Sequence, residues 1–155
     1  MAQVLHYENF TDGEIVIYGA YEVTEEEIKA FAARYDPQPF HLDEEAGRSS
    51  LLGGLCASGW HSCAMLNRMN VDAYLVRSAG MGSFGLDEVK WVRPVFPGET
   101  LSVRRTTLAR RVSTRRPDMG IVTFRWEVLN GDGELKLDAR GVNLFKVRGA
   151  SRLHG

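Results

Sequence analysis

The sequence predicts an α+β fold, an antiparallel sheet packed against one long buried helix. Three observations predict it. Helical periodicity dominates the first half, strand-type alternation takes over after Gly80, and no helical stretch separates the strands. A sheet curled around the helix is the economical way to bury both apolar surfaces. The 155 residues suit one domain covering 1–155, and 44% hydrophobic with 25% charged residues is an ordinary globular composition.

The elements follow in order. "TEEEIKAFAARY" is the clearest helix: Thr24 and Glu27 have capping-box spacing, and Ile28, Phe31, Ala32 and Tyr35 form one stripe. Pro37 stops it near Asp36. Asp43 can cap a short second helix through about Arg48. In "LLGGLCASGWHSCAML", Gly53 and Gly54 loosen the backbone, and Ser58 offers an N-cap hydroxyl. From Gly59 to about Val76 the residues are apolar on several faces, as in a buried helix, with Arg68 and Asp72 marking a narrow wet side. "IVTFRWEVL" places Val122, Phe124, Trp126 and Val128 on one strand face. "NGDG" at 130–133 is a hairpin signal leading to Leu135, Leu137 and Ala139 in phase. "DEVKWVRPVFPGETLSVRRTTL" reads as two strands broken at Pro94 to Gly98, which completes an antiparallel meander.

Several function classes are disfavoured. Acidic and basic residues number 20 and 19, so net charge calls for neither nucleic acid nor a membrane surface. No run approaches the ~18 apolar residues of a membrane span. The start "MAQVLHYENF" lacks the basic and apolar regions of a secretory signal, so a cytoplasmic protein is expected. Cys56 and Cys63 read as reduced, buried thiols. With no CxxC, HExxH or glycine-rich phosphate loop, neither a metal nor a cofactor is expected.

"YDPQPFHLDEEAG" carries the chemistry. Asp36 and His41 are side-chain types suited to moving protons near neutral pH. Pro37 and Pro39 fix their own φ and push Asp36 and Gln38 out of helical geometry. The connection is stiff, so the pair is ordered in advance.

"FAARYDPQPFHLDEEAG", then "GGLCASGWH", then "RPVFPGE" together resemble the MaoC-like dehydratases, the (R)-specific enoyl-CoA hydratase branch of the hotdog fold, over roughly residues 12–148. The family motif of aspartate, a polar residue, proline and histidine falls on Asp36, Gln38, Pro39 and His41. The usual A-H-G-M becomes Ala57, Ser58, Gly59 and Trp60. Tyr35 stands where a glycine is usual, Gln38 where an asparagine is, and Asn67 where many hydratases carry serine. The first two, with Ser58, reshape the surroundings of the pair; Asn67 bears on the substrate.

The resemblance implies reversible addition of water across the C2–C3 double bond of an enoyl thioester, carried by coenzyme A or an acyl carrier protein. Asp36 and His41 would share one water, and the Gly59 amide, opening the buried helix, would face the thioester oxygen. Ser58, Trp60 and Asn67 would border the substrate, and a homodimer or an assembly of dimers is implied. Two other readings compete: a hotdog thioesterase with Asp36 directing water to the carbonyl carbon, and a non-catalytic acyl-thioester-binding subunit. Bland roles compete for individual residues as well. Asp36 can simply end a helix and His41 can be a loop histidine. His61 reads as a helix-surface residue, or else as pocket lining. His6 and His154 read as solvated. Arg110, Arg111, Arg115 and Arg116 fit coenzyme A phosphates, a solvated hairpin end or an intersubunit patch.

Overall fold

The computed structural model describes residues 3–149. A single 3-10 turn at Tyr7–Asn9 leads into strand β1 (Ile15–Glu22), then helices α1 (Glu25–Tyr35), α2 (Pro39–Leu42), α3 (Glu44–Arg48) and α4 (Gly59–Ala73). Strands β2 (Gly80–Gly82), β3 (Leu86–Trp91), β4 (Thr100–Val112), β5 (Met119–Leu129) and β6 (Leu135–Lys146) follow. The sheet is antiparallel throughout, in the order β1-β4-β5-β6. The free side of β6 is shared by β3, opposite Leu137 to Gly141, and by β2, opposite Leu144 and Phe145.

The helix expectations hold closely. The Thr24 hydroxyl accepts from the Glu27 amide at 3.2 Å, and Asp43 accepts from the Ala46 amide at 2.8 Å. Glu27 does not close the capping box; its carboxylate instead accepts from the Tyr21 hydroxyl and from His61. The strands after Gly80 also fall where alternation puts them, with Val122, Phe124, Trp126 and Val128 buried in one row of β5. The Asn130–Gly133 turn closes the β5–β6 hairpin through bonds at 3.0 Å from Gly133 to Asn130 and from Asn130 to Glu134.

Three expectations need correction. The first half is not purely helical, because β1 lies in it. Its alternation is broken by a bulge between Tyr18 and Tyr21. Gly19 sits there at φ +92°, where a Cβ would come within 2.5 Å of the Met69 sulfur. The strands do not form a simple meander either. The 92–99 connection carries β3 to the side of β6, and the buried Lys136 ammonium pins it by donating to the Pro94 carbonyl and pairing with Glu99, each at 2.9 Å. Finally, α4 is not apolar all round. Met65, Leu66, Met69 and Asn70 are buried against the sheet, while Trp60, Ala64, Asn67, Arg68 and Asp72 are exposed.

The core lies between α4 and the sheet, where Phe10, Met65, Tyr74, Leu101, Phe124 and Phe145 are almost wholly enclosed. Each such side chain contributes about 1.5–3 kcal/mol. A buried cation crosses this apolar layer. Arg105 is 5% exposed, lies 4.3 Å over the Tyr74 ring and 5.0 Å from Phe124, and pairs with Glu14 at 3.7 Å.

His61 was expected on a surface but is 3% exposed, facing α1 from the first turn of α4 and stacked on Phe31 with centroids 4.6 Å apart. Its Nε2 meets Glu27 at 3.1 Å, while the buried Nδ1 has no partner among the described residues. Burial holds its pKa below 6.5 against the upward pull of Glu27, so the neutral ring donates an ordinary hydrogen bond. The other terminal-histidine expectations divide: His6 is half-buried, its Nδ1 3.2 Å from the Val4 carbonyl, and His154 lies outside the described residues. Because folded His61 resists the proton that the unfolded chain accepts, stability should fall as pH drops below about 6.5. Thermal unfolding of His61→Phe, which keeps the stack, should show a flatter slope than wild type between pH 7.5 and 5.5.

Candidate functional site

Two chain segments far apart in sequence converge at the start of α4. Asp36 ends α1 and donates its amide to Ala32 at 2.8 Å. Gln38 is extended at φ −95° and ψ 145°, as the following proline requires, and Pro39 opens the one-turn helix α2. That turn aims His41 back towards Asp36. The sequence suggested an irregular connection here; a Pro at the first helical position instead makes a short helix possible.

The two ends of His41 face different partners. Nδ1 lies 2.7 Å from the Cys56 carbonyl, which can only accept, so Nδ1 carries the proton in the neutral ring. Nε2 is then a bare lone pair, 3.6 Å from Asp36 Oδ2. That distance is beyond direct hydrogen-bond reach and leaves both groups able to hold one water.

Asp36 is heavily dressed. Oδ1 accepts from Gln38 at 2.5 Å, and Oδ2 accepts from the Ser58 hydroxyl at 2.6 Å. The Ser58 bond, above all, holds the carboxyl below its ordinary value, helped by Gln38 and His41 and opposed by burial. Ser58 is fully buried and does precede α4, but its hydroxyl makes no cap bond. The expected capping role is corrected: the hydroxyl is spent on a carboxylate 22 residues away.

A cavity of about 440 Å³ opens onto this pair and is bordered by Asp36, His41, Gly59, Trp60, Trp91 and Pro94. The amides at the start of α4 have no carbonyl within the helix to bond. Gly59 is needed for a reason the sequence did not show. Trp91 from β3 packs on it, donating Nε1–H to the Gly59 carbonyl at 2.8 Å, and a Cβ on Gly59 would lie 2.6 Å from the indole. Trp60, 63% exposed, meets Trp91 edge-on at the cavity mouth. Cys56 is buried beside His41 and both cysteines are free.

Asp36, His41, Ser58, Gly59 and Trp60 are thus brought together. Asn67 is not; it borders a second cavity further along α4. The basic cluster also lies apart. Arg110 and Arg111 pair across from Val122 and Ile121, well along the sheet from the Leu137 level that Trp91 occupies. Arg110 covers Tyr7 at 4.5 Å and Arg116 pairs with Asp118 at 3.0 Å. Among the described residues, no three histidine, cysteine or acidic side chains stand close enough to hold a metal ion, and no helix is long and apolar enough to cross a membrane.

A six-stranded antiparallel sheet around a central helix is the hotdog architecture. Residues 10–123 match the MaoC like domain, and the chain belongs to that family. It is similar to a MaoC-like dehydratase from Rhodospirillum rubrum, with 42% identity, a TM-score of 0.84, and coverage of 92% of this chain and 98% of that one. The R-hydratase PhaJ1 from Pseudomonas aeruginosa shares the fold at 22% identity and TM-score 0.71, covering 94% and 88%. The uncharacterized protein YdeM of Bacillus subtilis is 24% identical over 123 residues, 79% of this chain and 86% of its own.

Two measurements check this geometry. In Ser58→Ala the Asp36 carboxyl should titrate closer to 3.8 than in wild type, as followed by carbon-13 NMR. Gly59→Ala should lower the thermal midpoint by several degrees and displace the Trp91 indole, because the methyl and the ring cannot share the space.

Proposed function

We propose that this protein is a hydro-lyase, adding or removing water reversibly at the C2–C3 double bond of an enoyl thioester carried by coenzyme A or an acyl carrier protein. One observation carries the reading: the bare Nε2 of His41 and the carboxylate of Asp36 face one cavity, which also reaches Gly59 at the start of α4.

The chemistry follows from those groups. A water between Asp36 and His41 is oriented by the carboxylate, which stays ionised because Ser58 and Gln38 stabilise its charge. His41 Nε2 accepts a water proton as the oxygen attacks C3, and the imidazolium is stabilised by Asp36 at its side. The proton is then delivered to C2, and dehydration runs the same steps backwards. Charge developing on the thioester oxygen is met by the Gly59 amide and the positive end of the helix. Ser58 acts through Asp36, and Trp60 and Trp91 form the wall along which the thioester enters. Solved relatives described as R-hydratases and as a 3R-hydroxyacyl-ACP dehydratase support the reaction class.

The functional unit is a homodimer. The second edge of β3 is unpaired among the described residues, and Phe84, Leu86, Trp91 and Val92 expose apolar surface along it at 68%, 52%, 47% and 43%. A second copy is the partner that would cover it while closing the mouth of the cavity. Free thiols at Cys56 and Cys63 support a reducing, cytoplasmic setting.

Loss of enoyl absorbance with crotonyl-CoA tests the reaction, with a parallel assay for released thiol. Asp36→Asn and His41→Ala should each reduce hydration by about 10²-fold or more. Undiminished hydration in both variants, or thiol release as the main reaction, would reject the proposal.

A further inference from the structure

A second cavity, of about 300 Å³, lies beside the middle of α4 and is bordered by Cys63, Asn67, Asn70, Leu86, Trp126 and Asn143. Gly59, Cys63, Asn67 and Asn70 follow one another at helical spacing, so both cavities open on the same face of α4. Trp91 borders the first cavity and donates its indole N–H to the Gly59 carbonyl.

The polarity of this second cavity is set from behind, by two phenols. The Tyr18 hydroxyl donates to Asn70 Oδ1, 2.6 Å away. The Trp126 indole donates to the Tyr74 hydroxyl at 3.2 Å, so the Tyr74 proton goes to Asn143 Oδ1 at 2.8 Å. Burial raises both phenols, Tyr74 to about 12, and keeps them protonated and able to donate. Each asparagine therefore has its oxygen committed and its NH2 turned the other way. Asn70 is 5% exposed, and its Nδ2 has no partner among the described residues. Asn143 Nδ2 has only a long contact, 3.3 Å, to the neighbouring Val142 carbonyl. Two amides, one buried and one half-buried, thus present hydrogens to one cavity that offers them little to bond.

We infer that this cavity receives the distal end of the acyl group and selects an end carrying an oxygen acceptor, a carboxylate or a hydroxyl, over a plain alkyl end. The inference rests on the enoyl-thioester reading of the first cavity. An alkyl end would leave the Asn70 and Asn143 hydrogens dry and unbonded, whereas an oxygen there satisfies them. Reach fits an acyl group of moderate length. Gly59 and Asn70 are about 16 Å apart along the helix axis, and the Asn70 side chain leans back towards Gly59.

Titration calorimetry with saturated thioesters, which cannot be hydrated, tests this without turnover. Hexanoyl-CoA and octanoyl-CoA are compared with adipyl-CoA, suberyl-CoA and 6-hydroxyhexanoyl-CoA. The oxygen-bearing ends should bind about tenfold tighter than alkyl ends of equal length; the carboxylate and hydroxyl arms tell which acceptor is preferred. Asn70→Asp keeps an acceptor for Tyr18 but replaces the free donors with an oxygen, and should abolish the preference. Asn70→Leu should turn it towards alkyl ends. Equal binding of all ends by wild type, no binding of any, or a preference that survives in Asn70→Asp overturns the inference. The wild-type comparison stands even where a variant fails to fold. Hydration of crotonyl-CoA without end selection sinks this inference alone, and end selection without hydration sinks only the proposed reaction.

Discussion

The site depends on the hydrogen bond from Ser58 to Asp36. It joins the residue that follows α1 to the residue before α4, and displacing either helix end would break it. In the proposed reaction it also decides the division of labour in the pair. A carboxylate with both oxygens already accepting hydrogen bonds is a weak base, so Asp36 is suited to hold charge and orient. His41 Nε2, with the ring's other nitrogen held by the Cys56 carbonyl, is the atom left able to take one. The prolines, the one-turn helix and the buried serine all serve that arrangement.

A similar logic runs through the interior. An indole cannot accept a hydrogen bond, and the Trp126 N–H beside Tyr74 forces that phenol to pass its own proton onward to Asn143. Direction is thereby imposed on a chain of groups that would otherwise be free to flip. Arg105 is expensive to bury, and its aromatic surroundings together with Glu14 offset part of that cost. The network gives the core a polarity as well as a shape.

Much of this was legible in the sequence and some was not, for physical reasons. Asp36 and His41 stood out because proline restricts the backbone locally, and local restriction is written in adjacent residues. β5, β6 and their turn were legible because alternation and Asn-Gly chemistry are also local. Ser58 was misread because a hydroxyl before a helix looks like a cap, while its partner is 22 residues away. His61 was misread for the same reason: the stack on Phe31 and the bond to Glu27 come from another helix. β1 escaped because its bulge at Gly19 breaks the alternation. Asn70 and Asn143 carried no signal, since periodicity assigns a face to a residue but not the direction of its amide.

The clamp between Trp91 and Gly59 has an optical consequence. Two of the chain's three indoles meet at the cavity mouth, one from an edge strand and one from the first turn of α4, and one of them is hydrogen-bonded to the helix backbone. Their emission is a built-in gauge. Covering the edge would dry these chromophores, and unseating the clamp would change the solvent around the bonded ring, so colour and intensity report association and loosening without an attached dye.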